Sequence, residues 1–294
     1  MKRYFFLFFF LSVFYCYGQK KMLFAEAYNS KDQAQFVKEN KLEVAIIIYQ
    51  QSFVKNNMVD ENMLRSIIKK LIPDDAFSGY VVFDWEGTAL APFYNKKTGS
   101  RYNAFLNHYS TEFLKTLKIA RSLRPNAQYS FYKIPGPSYK NPDIESVTAN
   151  VMPVLKQLDF LCPSIYAKKL VDKENISNNY YYEENIKFAL KIAKKINKPV
   201  FPFMWHRISP GGAKFPNAII PIAQFKQEIH DVLSYSYQGV SCSGIIWWNG
   251  EQNDYSLRKK QGVKGARLTN VDGTNLTQKD FFQSYYNEIS KLFR

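Results

Sequence analysis

The chain has 294 residues, of which 46% are hydrophobic and 17% aromatic, enough for one large α/β barrel or two average domains with a sizeable core. Its 13 Gly and 13 Pro residues are too few for a low-complexity chain. The formal net charge of +15 favours polyanionic partners such as nucleic acid, anionic lipid or acidic polysaccharide, but charge alone does not choose among them.

The N-terminus has the pattern of an exported protein. Lys2 and Arg3 precede an almost unbroken apolar run over residues 4–17, which ends at Gly18. A charged start, a short apolar stretch and a small residue at its end are typical of a secretory signal peptide. The run is short for a membrane span, which takes about 20 residues, although an uncleaved anchor is the alternative. We therefore predict a signal peptide over residues 1–18 and a secreted, periplasmic or cell-surface protein with no stable membrane span after cleavage. Removal of Lys2 and Arg3, with no acid among these residues, would lower the net charge from +15 to +13.

Short apolar, β-branched runs then alternate with amphipathic helical patterns. The predicted strands are 44–49, 80–84, 128–132, 160–165, 200–205 and 244–248. The predicted helices are 61–71, 110–123, 145–157, 182–196, 221–235 and 277–293, the last with Thr277 as its N-cap. Strands that recur roughly every 30–50 residues are typical of βα units around a parallel barrel. No linker or break in composition divides the chain, so we predict one α/β domain over residues 19–294, a distorted (β/α)7–8 barrel of the TIM type.

An open, doubly wound sheet would show the same alternation. Such sheets usually carry a Gly-rich phosphate-binding turn after an early strand, and nothing similar follows Tyr49 or Asp84. We also expect no metal and no cofactor, because no His/Cys cluster has the spacing of zinc ligands. Cys162 and Cys242 lie in or beside apolar strand-like runs, which indicates buried free thiols rather than a disulfide framework.

The most informative strand end carries two acids. Asp84 and Glu86 follow the apolar run of residues 80–83 and should project to the same side, because side chains alternate along a strand. Their proximity should raise the pKa of one and leave the other ionised. Glycoside cleavage needs this division, with one carboxylic acid to protonate the leaving oxygen and negative charge to stabilise the developing cation. A structural ion pair is the alternative. The same Asp-x-Glu pattern at 143/145 and 172/174 follows no buried strand and predicts surface acids.

Several blocks, in order, resemble the hyaluronidase family. Residues 72–86, IPDDAFSGYVVFDWE, are similar to the strand of that family that ends in its catalytic Asp-(Trp/Phe)-Glu. The further blocks are LRP to FYKIP over 123–135, LCPSIY over 161–166, the helix and strand of 185–205, and GIIWW over 244–248. Each block is modest, but their shared order over most of residues 42–255 makes the resemblance specific.

The resemblance implies an endo-acting, retaining hydrolase of glycans that contain N-acetylhexosamine. The nucleophile would be the acetamido carbonyl of the substrate, which is an exception to the scheme with two carboxylates. Glu86 would be the general acid and then the base, while Asp84 would orient the acetamido group and stabilise the charge of the intermediate. Tyr132 and Tyr166 match the tyrosines that hydrogen-bond around that group, and Trp248 matches the aromatic residue that packs against the acetyl methyl.

Four weaker positions complete the predicted site. Tyr49 falls where the family has a tyrosine that contacts substrate, and Gln50 replaces the usual acid after it. Trp205 and His206 are candidates for the floor of a sugar subsite. Trp247 should face away from the neighbouring Trp248, because side chains alternate along a strand, so one of the two is expected in the core.

The departures from the family bear on the substrate. After Glu86 the family's (Glu/Arg)-Trp-Arg-Pro is replaced by GTALAP over residues 87–92, and the insertion that follows is shortened. The prediction is therefore a hyaluronan- or chondroitin-like polymer as substrate, with a bacterial capsular or cell-wall acetamido glycan as the alternative. A non-catalytic glycan-binding barrel is a third possibility, and no nucleic acid is expected. Basic residues near strand ends could meet a uronate carboxylate or be ordinary surface charges: Lys133, Lys168, Lys169 and Arg207.

Overall fold

A computed structural model describes residues 19–26, 31–94, 100–170, 178–211, 214, 216–250, 268–269 and 275–293. The signal peptide predicted over residues 1–18 lies outside the described residues and stays a prediction. Within the described ranges, no helix is long and apolar enough to cross a bilayer.

A parallel sheet of six strands forms the centre of the molecule. Its strands are β1 (Lys21–Glu26), β2 (Glu43–Tyr49), β3 (Tyr80–Asp84), β4 (Gln128–Phe131), β5 (Phe203–Trp205) and β6 (Gly244–Trp248). Their spatial order is β4-β3-β2-β1-β6-β5, and every neighbouring pair is parallel. All six carboxyl ends therefore lie at one edge of the sheet, where the register places Tyr49 beside Asp84 and Trp205 beside Trp248.

Residues 159–165 connect the two edge strands of this sheet. On the β5 side, the Leu161 N–H donates to the Pro199 carbonyl at 2.9 Å and the Phe203 N–H donates to the Pro163 carbonyl at 2.8 Å. On the β4 side, the Asp159 N–H donates to the Tyr129 carbonyl at 2.9 Å. The predicted strand 160–165 is wrong as a regular ladder, since only isolated bridges form here. Pro163 lacks the N–H that a continuous ladder needs.

Nine helices in the described part of the chain surround the sheet. They are α1 (Lys31–Glu39), α2 (Glu61–Leu71), α3 (Ala91–Tyr94), α4 (Ser100–Leu123), α5 (Ile144–Asn150), α6 (Met152–Gln157), α7 (Asn179–Ile196), α8 (Ile222–Ser234) and α9 (Gln278–Ile289). Single 3-10 turns cover Gln50–Ser52, Gly87–Leu90 and Ser290–Phe293. Short antiparallel hairpins pair Val54–Lys55 with Met58–Val59, Ser236–Tyr237 with Val240–Ser241, and Leu268–Thr269 with Asn275–Leu276.

The predicted helices agree with these bounds to within four residues at each end, except in two places. The pattern over 145–157 contains two helices, because Pro153 cannot donate the backbone hydrogen bond that would continue α5. Helix α4 begins at Ser100, ten residues before the predicted start. At the C-terminal helix the predicted cap is confirmed, since the Thr277 hydroxyl accepts from the Asp280 N–H at 3.1 Å.

The strands are buried on both faces, and their side chains divide between two clusters. From β3, Val81 and Phe83 pack outward against the helices, whereas Tyr80 and Val82 point into the concave face of the sheet. Period-two alternation then directs Asp84 into the same concave interior.

Candidate active site

The carboxyl ends of the strands converge on one pocket. Its described lining consists of Ile47, Tyr49, Asp84, Glu86, Tyr132, Tyr166, Phe203 and Trp248. Six of the nine residues predicted as site residues are among them. The structure therefore brings together, from five separate segments, the groups that the sequence placed at strand ends.

Asp84 lies at the inner end of β3, where its carboxyl is almost fully removed from water. Its Oδ1 is buried and has no hydrogen-bond partner among the described residues. The pKa of Asp84 is raised to about 7, mainly by burial and also by the charge of Glu86, while the charge of Lys133 acts to lower it. Of the predicted acid pair, Asp84 is thus the carboxyl with a raised pKa.

Glu86 occupies the open side of the same pocket. Its side chain is 45% exposed, and its Oε2 lies 3.5 Å from the Lys133 Nζ. The Glu86 backbone N–H donates to the Gln50 Oε1 at 2.9 Å, which ties the turn after β3 to the end of β2. Gln50, predicted to bind substrate, is not among the pocket-lining residues that the structure describes; its amide oxygen instead positions the Glu86 backbone.

An aromatic wall faces the two acids. The Tyr132 and Ser164 hydroxyls are 3.0 Å apart, and the Tyr166 ring stacks on Trp248 with centroids 5.5 Å apart and planes 12° from parallel. Burial raises the pKa of both tyrosines well above their ordinary range, so both are neutral hydroxyls able to donate. Trp205 packs against Trp248, with centroids at 4.7 Å, and is 6% exposed; it supports the wall rather than lining the pocket.

The other two aromatic candidates lie outside the pocket. Trp247 is fully buried between the sheet and the helices, as the alternation predicted for one of the pair. His206 is also fully buried, and its Nδ1 lies 3.0 Å from the Trp247 Nε1. The prediction of His206 as a subsite floor is therefore wrong, because the side chain leaves its strand on the helix-facing side.

The structure adds Tyr94 to the site and brings Lys133, one of the basic candidates from the sequence, beside Glu86. The Tyr94 hydroxyl donates to the Lys133 carbonyl at 3.0 Å, and the Lys133 ammonium lies 5.5 Å from the centre of the Tyr94 ring. In the sequence, Lys133 is a candidate because it lies near a strand end, with an ordinary surface charge as the alternative. Tyr94 has no such signal, since it belongs to the short helix α3 in a segment that the sequence predicted as a shortened insertion.

Two further observations concern the cysteines and metal binding. Cys162 and Cys242 are free and buried, as predicted, and burial raises the pKa of each thiol to about 12. In the part of the chain that the structure describes, no group of three or more His, Cys, Asp or Glu residues could hold a metal ion.

Comparisons with known proteins find similar folds among solved structures. No family model matches the chain. Bee venom hyaluronidase superposes with a TM-score of 0.62 at 15% identity, over 91% of this chain and 97% of that one. The same enzyme in complex with a hyaluronic acid tetramer gives 0.60 at 15% identity, over 94% and 99%. A double mutant of Cellulomonas fimi endo-beta-1,4-mannanase gives 0.51 at 14% identity, over 89% of this chain and 59% of that one. At these identities the likeness shows the fold alone, an α/β sheet of the barrel type.

Proposed function

We propose that this protein is an endo-acting, retaining glycoside hydrolase of polysaccharides that contain N-acetylhexosamine, with a hyaluronan- or chondroitin-like polymer as substrate. One observation carries the proposal: the buried, unpartnered Oδ1 of Asp84 lies in one pocket with Glu86 and the aromatic wall. The fold shared with bee venom hyaluronidase supports it. We further infer that the ring of strands closes through residues 159–165 into a distorted seven-membered barrel.

Asp84 and Glu86 are buried to different extents, so they are suited to different roles in the reaction. Glu86 is half-exposed and faces the open side, where a leaving glycosidic oxygen can reach it and where it can exchange a proton with water. It is the general acid and then the general base. Asp84 is buried and its Oδ1 lacks a donor, and buried acceptors in native proteins nearly always have one. The N–H of an acetamido group would supply that donor.

With the acetamido group held in this way, its carbonyl oxygen attacks the anomeric carbon while the glycosidic bond breaks and Glu86 protonates the leaving oxygen. Asp84 offsets the positive charge of the ring that forms. Water, deprotonated by Glu86, then attacks the anomeric carbon, which opens that ring and restores the acetamido group. Tyr132 and Tyr166 are neutral hydroxyls at the inner wall and can donate to the acetamido oxygen. Trp248 offers an apolar face beside them, suited to the acetyl methyl. No cofactor enters this scheme.

The place of action follows from the substrate. A polysaccharide of this kind is met outside the cytoplasm, so we propose that residues 1–18 direct export and are then removed. N-terminal sequencing of the exported protein tests this, with a mature chain that begins near Gln19 as the expected result.

The substitution Glu86→Gln tests the mechanism. Loss of the proton donor should lower kcat by about 10²–10⁴-fold without changing the melting temperature or glycan binding. The matched control is Glu145→Gln, which removes the acid of a second Asp-x-Glu pattern; Glu145 pairs with Lys191 on the exposed surface, so activity should be unchanged. Near-native turnover by Glu86→Gln would refute the mechanism.

One assay separates the proposed substrate from two alternatives, which are a bacterial acetamido glycan as substrate and a non-catalytic glycan-binding barrel. It measures release of reducing ends from a panel of hyaluronan, chondroitin, chitin and acetamido-bearing bacterial cell-wall and capsular glycans. The residues after Glu86 form a 3-10 turn over Gly87–Leu90 and the helix α3 in place of the family's sequence there. This difference favours a test of the bacterial polymers in the same experiment. Binding without release from any polymer would instead indicate a non-catalytic glycan-binding barrel.

A further inference from the structure

Lys133 has an unusual backbone conformation for a lysine. It follows Tyr132 at the carboxyl end of β4 with a φ of +66°, in the left-handed region that side chains other than glycine rarely adopt. Its N–H donates to the Cys162 carbonyl at 3.0 Å, and its carbonyl accepts from the Tyr94 hydroxyl at 3.0 Å. Bonds on both sides hold the strained conformation, and residues held in this way cluster at functional sites.

This turn delivers an ammonium group to the proposed general acid. The side chain extends over the Tyr94 ring and ends 3.5 Å from the Glu86 Oε2. Its side chain is 33% exposed and that of Glu86 is 45% exposed, so the pair is weak and open to an incoming ligand.

The charge of Lys133 also acts on a second lysine, Lys168. The Lys168 Nζ donates to the Ser209 Oγ at 3.1 Å. Burial lowers the pKa of Lys168, and the positive charge of Lys133 lowers it further. The two cations therefore repel each other beside the pocket, and a bound anion would offset that repulsion.

We propose that Lys133 determines substrate specificity by pairing with a carboxylate on the sugar next to the scissile bond. This contact withdraws the ammonium from Glu86 and leaves that carboxyl free to face the glycosidic oxygen. The inference rests on the proposed function. It adds a preference for carboxylate-bearing glycans, which arises because Lys133 exchanges its ion pair with Glu86 for one with the substrate carboxylate.

The test uses two substrates that differ in one group. They are hyaluronan oligosaccharides and the same oligosaccharides with the uronate carboxyl reduced to a primary alcohol. The wild-type protein should prefer the charged form by about fivefold to tenfold in kcat/KM, the effect of one partly solvated charge contact. Lys133→Met should bring this ratio close to one, and Lys133→Arg should keep it above one.

Two further variants separate specificity from folding. Lys133→Gly places glycine where the backbone favours it, so it should melt near the wild-type temperature and still lose the preference. Lys140→Met is the matched control: Lys140 also has a positive φ, of +55°, and an ammonium 5.2 Å from the centre of a tyrosine ring, but no ion pair with a described residue. Its preference should equal that of the wild type.

The outcomes distinguish this inference from the proposed function. A wild-type protein that cleaves both substrates equally, or a preference that survives both Lys133→Met and Lys133→Gly, would overturn the role of Lys133 and leave the hydrolase standing. A folded wild-type protein that cleaves neither substrate would overturn the hyaluronan-like substrate and the role of Lys133 together.

Discussion

Asp84 should reduce the stability of the folded protein at neutral pH while serving the reaction. Its pKa is raised from 3.8 to about 7, mainly by burial. Between these two pH values the unfolded chain has lost a proton that the folded protein still holds, so stability falls as the pH rises. Below about pH 3.8 both states are protonated and the cost is absent; above about pH 7 it is complete. The pKa difference corresponds to about 4 kcal/mol.

The substitution Asp84→Asn removes this cost, because asparagine has nearly the same shape and does not ionise. Its free energy of unfolding should exceed that of the wild type by up to about 4 kcal/mol at pH 8, with no difference near pH 4. Urea unfolding followed by circular dichroism, at intervals from pH 4 to 8, measures the difference. Activity should fall by at least about 100-fold, because the group that holds the acetamido N–H has lost its charge.

Glu228 provides the control for stability alone. It is 4% exposed at the contact of α7 and α8, where the Asn178 Nδ2 and the Gln224 Nε2 donate to its Oε1 at 2.9 and 2.8 Å. Burial raises its pKa from 4.5 to about 7. Glu228→Gln should therefore gain about 3 kcal/mol above pH 7, nothing below pH 4.5, and keep full activity. If the gain from Asp84→Asn were the same at pH 4 and pH 8, Asp84 would not be a buried carboxyl with a raised pKa, and the division of roles between the two acids would fail.

Two further predictions concern the pH dependence of kcat/KM and the value of KM. The kcat/KM of the wild type on uncharged acetamido oligosaccharides should fall below about pH 7, where Asp84 gains a proton. In Lys133→Met this fall of kcat/KM should begin at a higher pH, because the positive charge that lowers the pKa of Asp84 is gone. An unchanged pH profile would contradict the role of Asp84. Trp248→Ala should raise KM by roughly tenfold through loss of an aromatic face, measured against Trp205→Phe, which keeps the supporting ring and should stay near the wild-type value.

The periodicity of the sequence predicts the strands best where they are buried on both faces. Strands 80–84 and 244–248 agree with the structure at both ends, because an apolar run without interruption is typical of a parallel strand covered on both sides. Strand 200–205 is shortened to Phe203–Trp205 because Pro202 has no N–H to donate. Strand β1 and helix α1 were not predicted. Lys21–Glu26 follows the apolar run of residues 4–17 closely and offers too few residues to show a period of its own.

Sequence patterns predict which residues line the site better than they predict the burial and protonation of its two acids. Strand ends and ordered motifs point to the residues that line the pocket, and the fold brings those ends together. Which of the two acids is buried depends on side chains from other strands. Ile47, Tyr132 and Phe203 share the pocket with Asp84, and no local pattern around residues 84–86 contains that information.

Lys133 shows most clearly why local sequence is insufficient. By local rules Lys133 is either a surface lysine or a partner for a uronate carboxylate, and the strained φ becomes visible only when Cys162 and Tyr94 fix its backbone from two other segments. Glycine would relieve the strain but could not place a charge 3.5 Å from Glu86. Conflict between local preference and the adopted conformation is expected where function outweighs stability. Lys133→Gly tests whether the backbone strain is kept for the sake of the charge, because this variant should lose the substrate preference without losing the fold.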